Sequence, residues 1–475
     1  MSASTEEQKL PLPTLTAMVV GGMVGAGVFS IPRNFAAATG VYGALIAWAI
    51  AGTGMLMLAF VFQTLANRKP DLDAGVYAYA RAGFGPYLGF LSAFGYWASA
   101  CVGNVSYWVL IKSTLGAVFP ALGEGNTLLS VALSSVGIWA FHFLVLRGAK
   151  EAAGINKIVT IAKVIPLLMF VVLAIFSFDA KVFSDNLFGG EGYGNLFSQV
   201  KSTMLVTVFV FLGIEGASNY SRFAKRREDV GIATVTGFLS VLALFASVSI
   251  LSYGILPSAE IAQLRQPSVG SVLEAAVGRW GALFIGAGLI VSVLGAYLAW
   301  TLMAAEVLSI AAKKQDMPAF LAHENENQVP SNALLMSSIL VQLVLIATLF
   351  SDDAFTFALS LCSHLSLLPY FLAAGFAWQL VRSRQTYETT PGEVGKDTLI
   401  AGLAAAYTVF LVFAAGLEFL LLGFIIYAPG TLLYRMTRRE QNLPLFTPAE
   451  SVMFGIAVVG AVIGVVGLAA GFITI

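Results

Sequence analysis

The sequence predicts an all-α polytopic membrane protein: two five-helix repeats of inverted topology, discontinuous helices at positions one and six, then two or three peripheral helices. Three observations carry this. The 475-residue chain is 58% hydrophobic and 11% charged, where a soluble domain carries about 25% charged residues. Apolar runs long enough to cross the ~30 Å core of a bilayer recur along its whole length. Glycines interrupt the first and sixth of these runs, as expected when two inverted repeats share a site at their interface.

The polar stretch 1–14 has no signal peptide ahead of the first span and is expected as a cytoplasmic tail. Spans at about 15–38, 42–66, 87–119, 127–146 and 158–178 make the first repeat, 15–178. Spans at 200–220, 231–256, 280–312, 332–350 and 355–381 make the second, 200–381. The segment 398–475 holds peripheral spans at 398–415, 417–434 and 450–474. Only Gly416, Leu417 and Glu418 separate the first two of these, so the total is thirteen, or twelve if 398–434 is one span. The stretch from Asp71 to Arg81 mixes polar and aromatic residues and is expected as an interfacial helix.

Charge orients the chain. With the N-terminus inside, the loops on that side hold 19 of the 26 lysines and arginines, among them Arg68, Lys69, Arg81, Lys313, Lys314 and Arg382. The opposite loops hold mainly Lys181 and Arg265, beside Glu124, Asp185, Glu191, Glu260, Asp352 and Asp353. The positive-inside rule therefore predicts a cytoplasmic N-terminus. Arg435, Arg438 and Arg439 obey it only with thirteen spans.

The first span contains Gly21, Gly22, Gly25 and Gly27, and each glycine costs a helix interior roughly 1 kcal/mol. Unwound backbone in a membrane is tolerated where it lines a cavity, so a break is expected near Gly25, Ala26 and Gly27. The alternative is close helix packing through small residues. In the sixth span Gly213 and Gly216 flank Glu215. A charge at bilayer depth costs about 2.5–3.5 kcal/mol and has a partner or a task. Glu215 either bonds an unwound N–H or handles substrate or protons, and the two are compatible. Half-helix N–H groups suit a carboxylate, and unwound carbonyls suit an ammonium. A zwitterionic α-amino acid carries both, which points to an amino acid as substrate.

Net charge is zero, so no nucleic-acid partner is expected. Cys101 and Cys362 lie apart in apolar runs, so neither a disulfide framework nor a metal site is expected. No nucleophile triad, metalloprotease motif or phosphate loop occurs, so the chain is expected to be no enzyme and to need no cofactor.

The motifs GGMVGAGVFSIP, GVYAYARAGFGPYLGF, GAKEAAGINKIVTIAK and FLGIEGAS resemble those of the amino acid–polyamine–organocation (APC) transporters. The runs NRKPDLDAGVYAYARAGFG and GYWASACVGNVSY are most similar to the arginine–ornithine branch of its basic amino acid/polyamine antiporters. The resemblance covers nearly the whole chain. It implies a LeuT-like fold and sodium-independent exchange of extracellular L-arginine for cytoplasmic L-ornithine, by alternating access, across a bacterial inner membrane. It also implies site residues. Gly25, Ala26 and Gly27 match the turn that receives the carboxylate, with alanine where relatives often have serine. Leu212, Gly213 and Ile214 match the turn whose carbonyls take the ammonium, and Glu215 its acidic residue. Phe209 stands where a stacking tryptophan occurs in the arginine–agmatine exchanger; its phenyl face binds cations more weakly. Asn104, Trp300 and Ser360 match lining positions, and Lys163 a lysine that replaces the sodium of coupled relatives. A snorkelling role for Lys163 is the alternative.

His364 lies one turn from Ser360 and is read as packing or as a pH sensor. Lys112 is expected to reach the outer interface, Glu306 and Arg33 to pack or gate near span ends, and Glu418 to cap an outer turn. Several readings stay open: a lysine or other cationic amino acid permease, a histidine–histamine or putrescine–ornithine antiporter, a channel, or a non-transporting membrane scaffold. The oligomeric state, monomer or homodimer, is also open.

Overall fold

The computed structural model describes residues 11–72, 76–148, 152–189, 192–215 and 227–473. Gly216, Ala217 and Ser218 of the sixth-span motif lie outside the described residues, as do Lys9, Lys150, Arg222, Lys225 and Arg226 of the basic loops. Among the described residues every regular element is a helix. The first span is α1 (Leu12–Met23), a tight turn (Gly27–Ser30) and α2 (Ile31–Ala36), bent by 49° at the break. There follow α3 (Val41–Arg68), the short α4 (Val76–Phe84), α5 (Pro86–Gly116), α6 (Leu128–Leu146) and α7 (Ala152–Phe176). The second half runs through α8 (Ala180–Asp185), α9 (Leu196–Phe211), α10 (Arg227–Ser252), α11 (Ser268–Val277) and α12 (Arg279–Lys313). It ends with α13 (Ser331–Ala347), α14 (Ala354–Ser383), α15 (Val394–Glu440) and α16 (Pro448–Ala469).

Helix starts follow local chemistry. Thr127, Asn195 and Asp353 cap α6, α9 and α14 by accepting a backbone N–H with their side chains. Thr447 and Glu450 form a reciprocal capping box on α16. The α15 helix is 47 residues long but breaks at Gly416 (φ 78°, ψ 173°). Both pieces are long enough to span, as the thirteen-span reading requires. Short helices went unanticipated, among them α8 and α11, at 6 and 10 residues too short to register as spans. Burial of Val269, Val272 and Leu273 folds α11 against α2, α7 and α12.

The core is organised around α5, buried along nearly its whole length and packed on α4, α12, α13 and α14. Buried indole N–H groups are satisfied between helices: Trp48 donates to Ser249 Oγ (2.7 Å) and Trp97 to Ser337 Oγ (2.8 Å). Around this core, apolar side chains face outward. In α16, Val452, Ile456, Val459 and Ile463 are exposed, whereas Gly460 and Gly464 admit Phe424 and Ile425 of α15. An outward apolar surface of this kind belongs in lipid.

Connections sort into two faces. On one, Arg33 pairs with Glu124 (3.4 Å) and Asp353 (3.1 Å), and Asn126 donates to the Ser351 carbonyl. On the other, Arg68 pairs with Asp397 (3.1 Å) and Glu393 (2.5 Å), and Arg81 with Asp316 (2.7 Å). These contacts join loops that the alternating span count assigns to the same side.

Candidate substrate site

The break in the first span leaves backbone donors without acceptors. Val24 N–H still reaches the Val20 carbonyl (2.9 Å), and the next bonded N–H is Phe29, to Ala26 (3.1 Å). Between them, the N–H groups of Gly25, Ala26, Gly27 and Val28 find no acceptor among the described residues, and the first three of these residues line the hollow described below. Gly27 is required by space: a Cβ there would lie 2.7 Å from the Phe209 ring. Ser30 Oγ donates to the Gly27 carbonyl (2.7 Å) and holds the turn.

The second break follows α9. Leu212 leaves the helix (φ −56°, ψ 137°), and Gly213 takes φ 102°, a region that disfavours side chains. The α1 and α9 breaks touch there, since a Cβ on Gly213 would sit 2.6 Å from the Gly22 carbonyl oxygen. Glu215 is buried and accepts hydrogen bonds from Tyr96 Oη (2.6 Å), Tyr370 Oη (2.6 Å) and the Gly213 N–H (3.1 Å) among the described residues. One carboxylate thus ties α5 and α14 to the turn after α9.

Between the breaks lies a hollow of about 390 Å³, a figure that includes space open to solvent. Gly22, Met23, Gly25, Ala26 and Gly27 form one wall, and Phe209, Val210 and Leu212 a second. Ser99, Ala100, Gly103 and Tyr107 of α5 form a third, with Trp300 of α12 and Cys362 of α14 completing it. Beside the hollow, Val28, Phe29 and Phe355 are buried, and the Phe355 ring stands edge-on to that of the lining residue Phe209 (6.4 Å). The exposed lining residue is Gly22, on α1, while Gly25 and Trp300 are half-buried. Solvent therefore reaches the hollow from the side of α1.

Of the residues singled out from sequence, Gly25, Ala26, Gly27, Phe209, Leu212 and Trp300 line this hollow. Gly213, Ile214 and Glu215 form the turn directly behind Leu212. Asn104 and Ser360 are buried off the lining. Asn104 donates to Thr301 Oγ1 (3.2 Å), and its Oδ1 has no partner among the described residues. Ser360 lies two residues from Cys362, some 200° around the helix by the ~3.6-residue turn, so one of them faces away. Lys163 is buried, and its Nζ donates to the Gly21 carbonyl (3.2 Å) of the broken helix. His364 packs against Gly423 of α15 rather than the hollow. Lys112 lies over the Trp108 ring (5.6 Å), and Glu306 is exposed.

Sequence reasoning missed Tyr96, Ser99, Gly103, Tyr107, Tyr370 and Cys362. A signal existed for four of them. Tyr96, Ser99, Gly103 and Tyr107 recur at intervals of three and four, one face of a helix with small residues between two tyrosines.

Comparison with known proteins agrees with this architecture. The amino acid permease family model matches residues 10–420. An arginine/ornithine antiporter of Pseudomonas aeruginosa is 49% identical, covering 98% of this chain and 99% of its own length. An L-lysine transport protein of Corynebacterium glutamicum is 39% identical over 100% of this chain and 98% of its own. An arginine/agmatine antiporter of Chlamydia abortus is 36% identical over 91% and 90%. With two broken helices around a polar-backed hollow and matches of this extent, the chain belongs to the amino acid permease family.

Proposed function

We propose that the protein exchanges extracellular L-arginine for cytoplasmic L-ornithine by alternating access. The observation that carries this is the pair of helix breaks facing one hollow, with free N–H groups at Gly25, Ala26 and Gly27 opposite the carbonyl-rich end of α9. The N–H groups suit the α-carboxylate, and the C-terminal end of α9 carries the partial negative charge that an α-ammonium seeks. The side-chain cation then lies against Phe209 and Trp300, with the spare Asn104 Oδ1 behind as an acceptor. Arginine and ornithine both carry one net positive charge, so their exchange is electroneutral and driven by the two gradients.

Lys163 supports independence from sodium, because its ammonium already bonds a carbonyl of the first break. The basic face supports a cytoplasmic N-terminus. On that orientation the hollow opens to the cytoplasm, in an inward-facing form of a bacterial inner-membrane carrier. Lysine transport is a second reading, favoured by the full-length similarity to an L-lysine transport protein.

Counterflow tests the assignment. Proteoliposomes loaded with ornithine should take up labelled arginine, and empty ones should not. Uptake without internal substrate would indicate a channel or uniporter; no uptake in either case would indicate a scaffold; preferential uptake of lysine would favour the second reading.

A further inference from the structure

Tyr107 carries a hydroxyl for which the fold has no use of its own. The residue is buried at 6% exposure on α5, and its side chain lines the hollow. Its Oη makes no hydrogen bond to any described residue and is not closed off from solvent, so it is open to the hollow that the residue lines. The neighbouring phenols are satisfied: Tyr96 and Tyr370 both donate to Glu215. The Tyr107 hydroxyl faces the first break. It is the nearest atom to the site of a side chain on Gly25, at 3.5 Å, beside the Gly25, Ala26 and Gly27 N–H groups, which also lack acceptors. Ala26, in the middle of that break, supplies no hydroxyl.

We infer that Tyr107 Oη is a substrate-binding donor, reaching across from α5 to the α-carboxylate that the Gly25–Gly27 backbone receives. Three N–H groups and one O–H then converge on an anion from two helices. An acceptor-only ligand satisfies all of them, and a decarboxylated amine satisfies none. The residue therefore selects amino acids over the corresponding diamines and ties α5 to α1 when substrate is bound. This rests on the assignment of a cationic amino acid as substrate.

A hydrogen bond to a charged group in a closed site is worth a factor of roughly 10 to 100 in affinity. The test measures Kd for labelled L-arginine on the purified protein, with agmatine and L-arginine methyl ester as competitors that keep the guanidinium and lack the carboxylate. In Tyr107→Phe, arginine should weaken roughly 10-fold or more, while the two competitors change less than about twofold. Arginine binding within twofold of the parent protein, or an equal loss for all three ligands, would overturn the inference. Tyr107→Met, apolar and flexible, carries the same expectation if the phenylalanine variant fails to accumulate. A parent protein that binds no arginine would instead refute the substrate assignment, so the two failures are told apart.

Discussion

At the scale of single residues, Glu215 has the most to lose. Its carboxylate receives two phenols and one backbone N–H, and hydrogen bonds to a charged acceptor contribute about 1.5–3 kcal/mol each. Glu215→Gln keeps the shape but turns one acceptor into a donor facing other donors. Exchange should fall roughly 10-fold or more, with folded protein still recovered; unchanged counterflow would remove Glu215 from the mechanism. Trp300 is a different case, since it offers a ring face to the hollow rather than a hydrogen bond. Trp300→Ala should raise KM for arginine about 5- to 30-fold, the ~1–2 kcal/mol of a desolvated cation–π contact. The kinetics of ornithine-loaded vesicles would check this.

At the scale of elements, the breaks in α1 and α9 are one construction. They touch at Gly22 and Gly213, and the two glycines are not equivalent. A side chain on Gly213 meets both a positive φ of 102° and a carbonyl oxygen at 2.6 Å, whereas one on Gly22 meets nothing nearer than 3.8 Å. The left-handed backbone alone costs an alanine roughly 1–2 kcal/mol. Gly213→Ala should therefore lower the thermal unfolding midpoint and abolish exchange, while Gly22→Ala should leave the midpoint near that of the parent. Equal midpoints for both variants would mean that the crossing is looser than these distances indicate. Gly416 in α15 plays a related part, interrupting 47 residues of helix with a non-helical residue of φ 78°.

At the scale of the whole molecule, ion pairs hold each face. On the basic face Asp316 is pushed up to about 6, chiefly by burial, against the opposing pull of the Arg81 guanidinium. Its folded value lies above the unfolded 3.8, so folding penalises the ionised form. That cost is absent below about pH 4, grows between about pH 4 and 6, and is fully present above about 6. Arg81, half exposed, offsets part of it. Arg81→Met should therefore destabilise the protein by about 1–2 kcal/mol at pH 8, less than the ~3–5 of a fully buried pair. The deficit should shrink towards zero at pH 5. Thermal unfolding at the two pH values decides it, and a deficit independent of pH would assign Arg81 a packing role instead.

Much of this was legible in the sequence, because a membrane imposes its own reading frame. Every long apolar run had to become a helix, since lipid offers peptide groups no partner, and glycines clustered in two of those runs marked where the helices part. That made a break at Gly25–Gly27 and a division at Gly416 candidates, each with an alternative, while the turn at Leu212–Ile214 came from the resemblance. The tertiary structure decided which neighbours arrive at the breaks. Tyr96 and Tyr370 come to Glu215 from helices more than 100 residues away in the chain, and Cys362 rather than Ser360 turns to the hollow. Helices buried on all sides carry no polar stripe to orient them, so their rotation is set only by packing against one another. That packing, rather than periodicity, selects the side chains that substrate meets.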